Sequence, residues 1–273
     1  VVGLSEREGF LGVILPGFQL VEHPGARVWA TDEAVAWARY VLEGGSTLHA
    51  AAEKDRDVLR LEGRRPVFVI PAKVSRNDHH GSVARWAVRH YARGGRVFRV
   101  LGDRYLTWGS KRPLHEARAS EAARARGIST PRVQAAAVYP AGLFYRADLV
   151  TDFVPSALDL VEALFDTRRK GLGGAVERQD ALRTAGGLIR QMADAGLRHK
   201  DIHAGNILLE WQGAAPTPHL LDLDRCEVAP AGSSLSPRPM LRRLQRSLRR
   251  WETRTGLRLS HTEWTILERA TMG

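Results

Sequence analysis

The chain has 273 residues, 41 Lys and Arg against 30 Asp and Glu, a formal net charge of +11, and 44% hydrophobic residues. That apolar share fills a sizeable core and argues against wholesale disorder, and the length suits one large domain or one domain built as two lobes. The single cysteine, Cys226, excludes an intrachain disulfide and points to a reducing compartment, and no apolar run reaches the ~18 residues of a membrane span. The basic surplus is localised. Residues 61–130 hold 15 basic against 5 acidic groups and residues 231–273 hold 9 against 3, whereas residues 131–230 hold 11 against 13. Two such blocks suggest a polyanionic partner: nucleic acid, an anionic membrane surface or a phosphorylated substrate. A solvated, Arg-rich surface is the plainer reading.

In chain order, the first sixty residues mix short apolar runs with Gly and Pro. Thr31–Leu42 predicts a helix, with Thr31 placed to cap it and Ala34, Val35, Ala38 and Leu42 on one face. Pro66–Ile70 reads as a strand, and Val83–Tyr91 as a second with alternating pattern, ended by Arg93-Gly94-Gly95. Pro113 stands in the first turn of a helix that runs to Gly127. Val133–Tyr139 and Phe144–Val150 are strand-like, and Val176–Ala195 is a long helix with Leu182, Leu188, Ile189 and Met192 inward, closed by Gly196. Two short apolar runs, Ile207–Leu209 and Leu220–Leu223, flank a turn. Helices over Met240–Thr255 and His261–Thr271 end the chain, the second opened by Ser260 and Glu263 in capping-box spacing. Strands in the first half and helices in the second make an α+β arrangement.

The segment His199-Lys-Asp-Ile-His-Ala-Gly-Asn206, followed by Leu220-Leu-Asp222-Leu-Asp224-Arg225, carries the chemistry. Phosphoryl transfer from a nucleoside triphosphate needs a carboxylate to accept the proton of the attacking hydroxyl, and hard oxygen donors for Mg²⁺ against the β- and γ-phosphates. Asp201 suits the first role, and Asn206 and Asp222 the second. His199 and His203 bracket Asp201 at spacing four, but no Glu lies between them as in zinc proteases, so His199 reads as packing or hydrogen-bonding within the loop. No Walker loop occurs, and Gly171-Leu-Gly-Gly174 follows Arg168-Arg-Lys170 rather than a strand and reads as a linker. Cys226 reads as a packing residue rather than a reactive thiol.

With these residues in view the sequence resembles the protein-kinase-like superfamily, and within it the lipopolysaccharide core kinases, in particular the 3-deoxy-manno-octulosonic acid (Kdo) kinases. The likeness runs from about Gly63 to Trp251. It is carried by Val88-Arg-His-Tyr-Ala-Arg-Gly-Gly95, Leu101-Gly-Asp-Arg-Tyr-Leu106, Arg112-Pro-Leu-His-Glu116, Tyr145-Arg-Ala-Asp-Leu-Val-Thr151 and the catalytic loop with Asp222-Leu-Asp-Arg225. The resemblance implies a bilobal kinase-like fold, a small β-rich N-lobe and a larger helical C-lobe, with ATP bound between them. Its divisions are residues 1–62 as an N-terminal extension packed on the N-lobe, 63–152 as the N-lobe and 153–273 as the C-lobe. On it Asp201 is the base, Asn206 and Asp222 are the Mg²⁺ ligands, and Glu116 pairs with a cation on the Val83–Tyr91 strand. That cation is Arg89 where the family pattern has Lys, with Lys73 as its rival; Glu116 as a solvated first-turn residue is the alternative. The segment Leu149–Pro155, with Asp152, falls at the adenine-binding hinge. No Gly-x-Gly-x-x-Gly covers the phosphates; only Gly63 and Gly81 are near.

The expected activity is ATP- and Mg²⁺-dependent phosphorylation of a Kdo hydroxyl of Kdo–lipid A, by a cytoplasmic protein peripheral on the inner membrane, with no nucleic acid partner. Arg93, Arg96, Arg99 and Arg104 are candidates to grip acceptor carboxylates and phosphates. The terminal helix puts Leu241, Leu244, Leu248 and Trp251 on one stripe and Arg242, Arg243, Arg246, Arg249 and Arg250 off it, so it either docks with a solvated cationic face or turns that face to an anionic leaflet. Rival readings are an aminoglycoside- or choline-type phosphotransferase and a catalytically silent kinase-fold binding module.

Overall fold

The alternating run around Trp86 and Val88 lies inside an eight-stranded antiparallel sheet in the computed structural model. The structure describes residues 15–61, 66–73, 84–91, 103–106, 111–165, 175–211 and 215–273. The chain divides into two compact units, residues 1–117 with 133–153, and residues 118–132 with 154–273.

The first unit holds β1 (Gln19–His23), β2 (Ala26–Ala30), β3 (Leu59–Leu61), β4 (Val67–Pro71), β5 (Arg85–His90), β6 (Tyr105–Leu106), β7 (Val133–Ala141) and β8 (Phe144–Asp152). Their order is β1-β2-β7-β8-β5-β4-β3, with β6 also paired to β8. β7 and β8 are the longest strands, and seven successive residues of β7 are buried, as a strand covered on both faces requires. Strand alternation sorts the side chains. Val28, Val88, Ala135, Ala137 and Val150 join Phe68 and Trp86 under the helices α1 (Val35–Glu43) and α2 (Leu48–Glu53). Trp29, Tyr91, Ala136, Val138, Ala147 and Leu149 face the other way, with Leu114 and Ala117 of α3 (Arg112–Ala125).

Thr31 does not cap α1 with its side chain. The helix starts at Val35 with Ala34 at its cap, and the Thr31 hydroxyl donates instead to Gln134 Oε1 at 2.6 Å. Gln134 is fully buried, and an amide buried without partners costs about 1–3 kcal/mol, which outweighs one surface cap. The expected strand from Val83 begins, among the described residues, at Arg85.

The second unit contains β9 (Ala157–Asp159), α4 (Leu160–Phe165), α5 (Ala175–Asp194), β10 (Leu197–His199), β11 (Ile207–Trp211), β12 (Pro216–Leu220), β13 (Cys226–Val228), α6 (Arg238–Thr255) and α7 (His261–Met272). α5 buries Ala181, Leu182, Ala185, Leu188, Ile189 and Met192 in its core, as the 3.6-residue period predicts. At Gly186 a methyl would lie 2.8 Å from both the Ala270 Cβ and the Leu267 carbonyl of α7, so the two helices touch backbone to backbone. α6 buries Met240, Leu241, Leu244 and Leu248, and α7 opens with the Ser260–Glu263 capping box. The fold is the α+β arrangement expected, an antiparallel-sheet unit and a helical one.

Candidate active site

In the second unit two antiparallel pairings set the polar loops. β10 pairs with β13, His199 opposite Cys226, and β11 pairs with β12, Ile207 opposite Leu220. Asn206 therefore comes level with Leu221, whose N–H donates to the Asn206 carbonyl at 2.9 Å. The Asn206 side chain, 6% exposed with its residue, donates from Nδ2 to the Asp201 carbonyl at 3.3 Å. That leaves Oδ1 as the amide atom with cation-binding chemistry.

His199 ties the two loops. Its Nδ1 accepts the Asp201 backbone N–H at 3.1 Å, and its Nε2 donates to the Leu221 carbonyl at 3.3 Å, which fixes one neutral tautomer. Burial depresses its pKa, against the pull of the Leu221 carbonyl and of Asp222 and Asp201. The ring is fully buried and is no metal ligand, as the sequence reading has it. The Asp201 carboxylate, by contrast, is 58% exposed, with Arg225 Nη1 3.8 Å away.

Asp222 adopts the left-handed region, φ 57° and ψ 58°. For a residue other than glycine this stores about 1–3 kcal/mol, strain that Asp tolerates better than most and that concentrates at functional sites. The next residues, Leu223–Arg225, form one 3-10 turn into β13. Among the described residues no three His, Cys, Asp or Glu side chains converge as a protein-only metal cage. An amide oxygen and a carboxylate on adjoining loops nevertheless fit Mg²⁺, which takes few protein ligands and fills its shell with waters and phosphate oxygens.

In the first unit, the Arg89 guanidinium donates through Nη2 to Glu116 Oε1 and lies 4.8 Å above the Tyr91 ring, while the Tyr91 hydroxyl donates to Glu116 Oε2. The ladder continues one residue past β5, with the Tyr91 N–H on the Ala147 carbonyl, so residues 89 and 91 share a face. Glu116 is 4% exposed, so it is not a solvated first-turn residue. Lys73 is elsewhere: it pairs with Asp55, whose carboxyl is held below its usual range, burial opposing and Lys73 prevailing. Asp152 ends β8 and accepts from Gln134 Nε2 at 2.8 Å. Sequence reasoning missed Tyr91; strand alternation beside Arg89 was the available signal. Arg93, Arg96, Arg99, Gly63, Gly81 and Gly171–Gly174 lie outside the described residues. Cys226 is buried, and burial with Glu227 nearby pushes its thiol up to about 12, so it packs rather than reacts.

Comparison with known proteins makes this a phosphotransferase with a hydroxyl acceptor, built on a kinase-like fold. The family model for lipopolysaccharide kinases (Kdo/WaaP) matches residues 54–269, and the chain belongs to that family. It is 32% identical over 183 residues to the 3-deoxy-D-manno-octulosonic acid kinase of Vibrio cholerae, covering 66% of this chain and 72% of that one. It is also 32% identical over 184 residues to the kinase of the same name from Actinobacillus succinogenes, at 66% and 72% coverage. A solved structure of WaaP in complex with acyl carrier protein superposes with a TM-score of 0.50 at 15% identity, covering 86% of this chain and 85% of that one, which bears on the fold alone. Membership of a kinase family implies ATP use. Among the described residues no helix is long and apolar enough to cross a membrane.

Proposed function

We propose that the protein transfers the γ-phosphate of ATP to a Kdo hydroxyl of Kdo–lipid A, with Asp201 as the base. The hydrogen-bonded frame joining Asp201, Asn206 and Leu221–Asp222 through His199 carries this reading. Asp201 is exposed enough to meet an acceptor hydroxyl and take its proton, while its backbone is fixed by His199. Asn206 Oδ1 and the Asp222 carboxylate would hold Mg²⁺, which when bound neutralises charge on the phosphates. Arg89, rather than Lys73, is the cation for the nucleotide phosphates, because it is the one paired with buried Glu116. The backbone of 149–155, with Asp152, is the candidate adenine contact.

The acceptor class is supported by the names of the relatives. A lipid-borne acceptor also gives a use to α6, where Arg238, Arg242, Arg246, Arg249, Arg250 and Arg254 are exposed; they would lie against an anionic inner leaflet. Transfer of labelled γ-phosphate to purified Kdo–lipid A, abolished in Asp201→Asn and by chelation of Mg²⁺, is the test. Transfer to a free sugar or amino alcohol with none to Kdo–lipid A would sink the acceptor claim.

A further inference from the structure

We propose that Tyr91 is a positioning residue that sets how Arg89 is presented to phosphate, acting through Glu116. This rests on the reading that Arg89 meets the nucleotide. An arginine and a carboxylate left to themselves close a two-bond fork, which turns the flat edge of the guanidinium toward the carboxylate. Here the Tyr91 hydroxyl donates to Glu116 Oε2, and Arg89 donates through Nη2 to Oε1, so the two side chains share one carboxylate. The same tyrosine places its ring face 4.8 Å below the guanidinium carbon. One side chain thus shares the carboxylate with Arg89 and sets an aromatic face beneath its guanidinium.

The tyrosine is itself immobilised. It is 4% exposed, and its ring meets Tyr105 edge-on at 6.5 Å, with Tyr145 a further 5.6 Å from Tyr105. Its backbone N–H continues the β5–β8 ladder onto the Ala147 carbonyl at 2.9 Å. Arg112 stands over the Tyr91 and Tyr105 rings at 5.8 and 5.1 Å and donates to the Tyr105 hydroxyl at 3.2 Å. A lysine in place of Arg89 would bring a point charge with no plane to orient. The arginine brings a plane, and the Tyr91 ring lies beneath it.

The experiment measures Mg·ATP affinity by calorimetry, and kcat and KM for ATP, on the full chain and on Arg89→Ala, Tyr91→Phe, Glu116→Gln and the Tyr91→Phe/Glu116→Gln pair. Tyr91→Phe keeps the ring and removes only the hydroxyl. It is expected to raise the ATP dissociation constant and KM roughly tenfold, the loss of one hydrogen bond to a charged group. The expected kcat stays within about twofold, and melting stays near wild type. In the Glu116→Gln background the same change is expected to add nothing, because the carboxylate through which Tyr91 acts is gone. Wild-type KM in Tyr91→Phe, or effects that multiply in the double variant, would overturn the assignment. If Arg89→Ala binds nucleotide normally, the underlying reading fails; if it binds weakly while Tyr91→Phe is silent, only the role of Tyr91 fails. Should Tyr91→Phe melt far below wild type, Tyr91→His, which keeps a ring and an N–H donor, is compared with Tyr91→Leu. Tighter nucleotide binding by the histidine variant supports the assignment and equal affinities overturn it.

Discussion

Glu116 is 4% exposed and bonded by Arg89 and Tyr91, whereas the Asp201 carboxylate is 58% exposed and its residue is held through the backbone. The first unit fixes its charged group by burial and direct pairing. The second fixes its loops by hydrogen bonds between backbone groups and His199, and leaves the acid at the surface. The difference separates two kinds of lesion. A change at a buried pair strands its partners and lowers stability, while a change at an exposed acid removes chemistry and leaves the fold alone.

The largest expected effect tests the exposed side of that contrast. Asp201→Asn should lower kcat for γ-phosphate transfer by about 10²–10⁴, with an unchanged melting curve; a large fall in melting temperature would break the contrast. Asp222→Asn comes next. Asparagine accepts the left-handed conformation, so the loop should keep its fold while losing carboxylate charge, and activity should fall with a raised Mg²⁺ requirement. Removing the buried partner should do the opposite. Glu116→Ala is expected to cost about 1–3 kcal/mol of stability through the stranded Arg89 and Tyr91, read by denaturant unfolding.

A subtler effect comes from pH. His90, next to Arg89 on β5, is bonded through Nδ1 to buried Asp148 at 2.6 Å and through Nε2 to Asp103 at 3.0 Å. Burial lowers its pKa, but the bonds and charges of Asp148 and Asp103 prevail and raise it. A raised histidine stabilises fully below its unfolded value of about 6.5, and that stabilisation is lost as pH rises through the folded value. The melting advantage of wild type over His90→Asn should therefore shrink from pH 6 towards the alkaline side; a growing advantage would refute the bridge. The smallest effect concerns Cys226, whose thiol should resist alkylation in the native state and react only on unfolding.

The second unit's proposed site is legible because its signal is local. Asp201, Asn206 and Asp222 sit on one short stretch with a hairpin inside it, and the pairing of Ile207 with Leu220 brings its polar ends level. The first unit's pair was legible only through a family likeness, since 27 residues separate Arg89 from Glu116 and no period links a strand to a helix. Three-residue strands such as β9, β10 and β13 escaped because so few residues cannot establish an alternation. Thr31 was misread because its true partner, Gln134, is 103 positions away, a contact invisible to capping rules. Lys73 and Arg89 are inseparable in sequence; the structure pairs Lys73 with Asp55 and Arg89 with Glu116.

Every basic residue of α6 is arginine, in a chain where 5 of 41 basic residues are lysine. Guanidinium groups do not titrate in any pH range where the protein is folded, and they carry no acetylation chemistry. The positive charge of that helix is therefore a constant. On the protein's side, the attraction to an anion therefore answers to ionic strength and to nothing that adds or removes a proton.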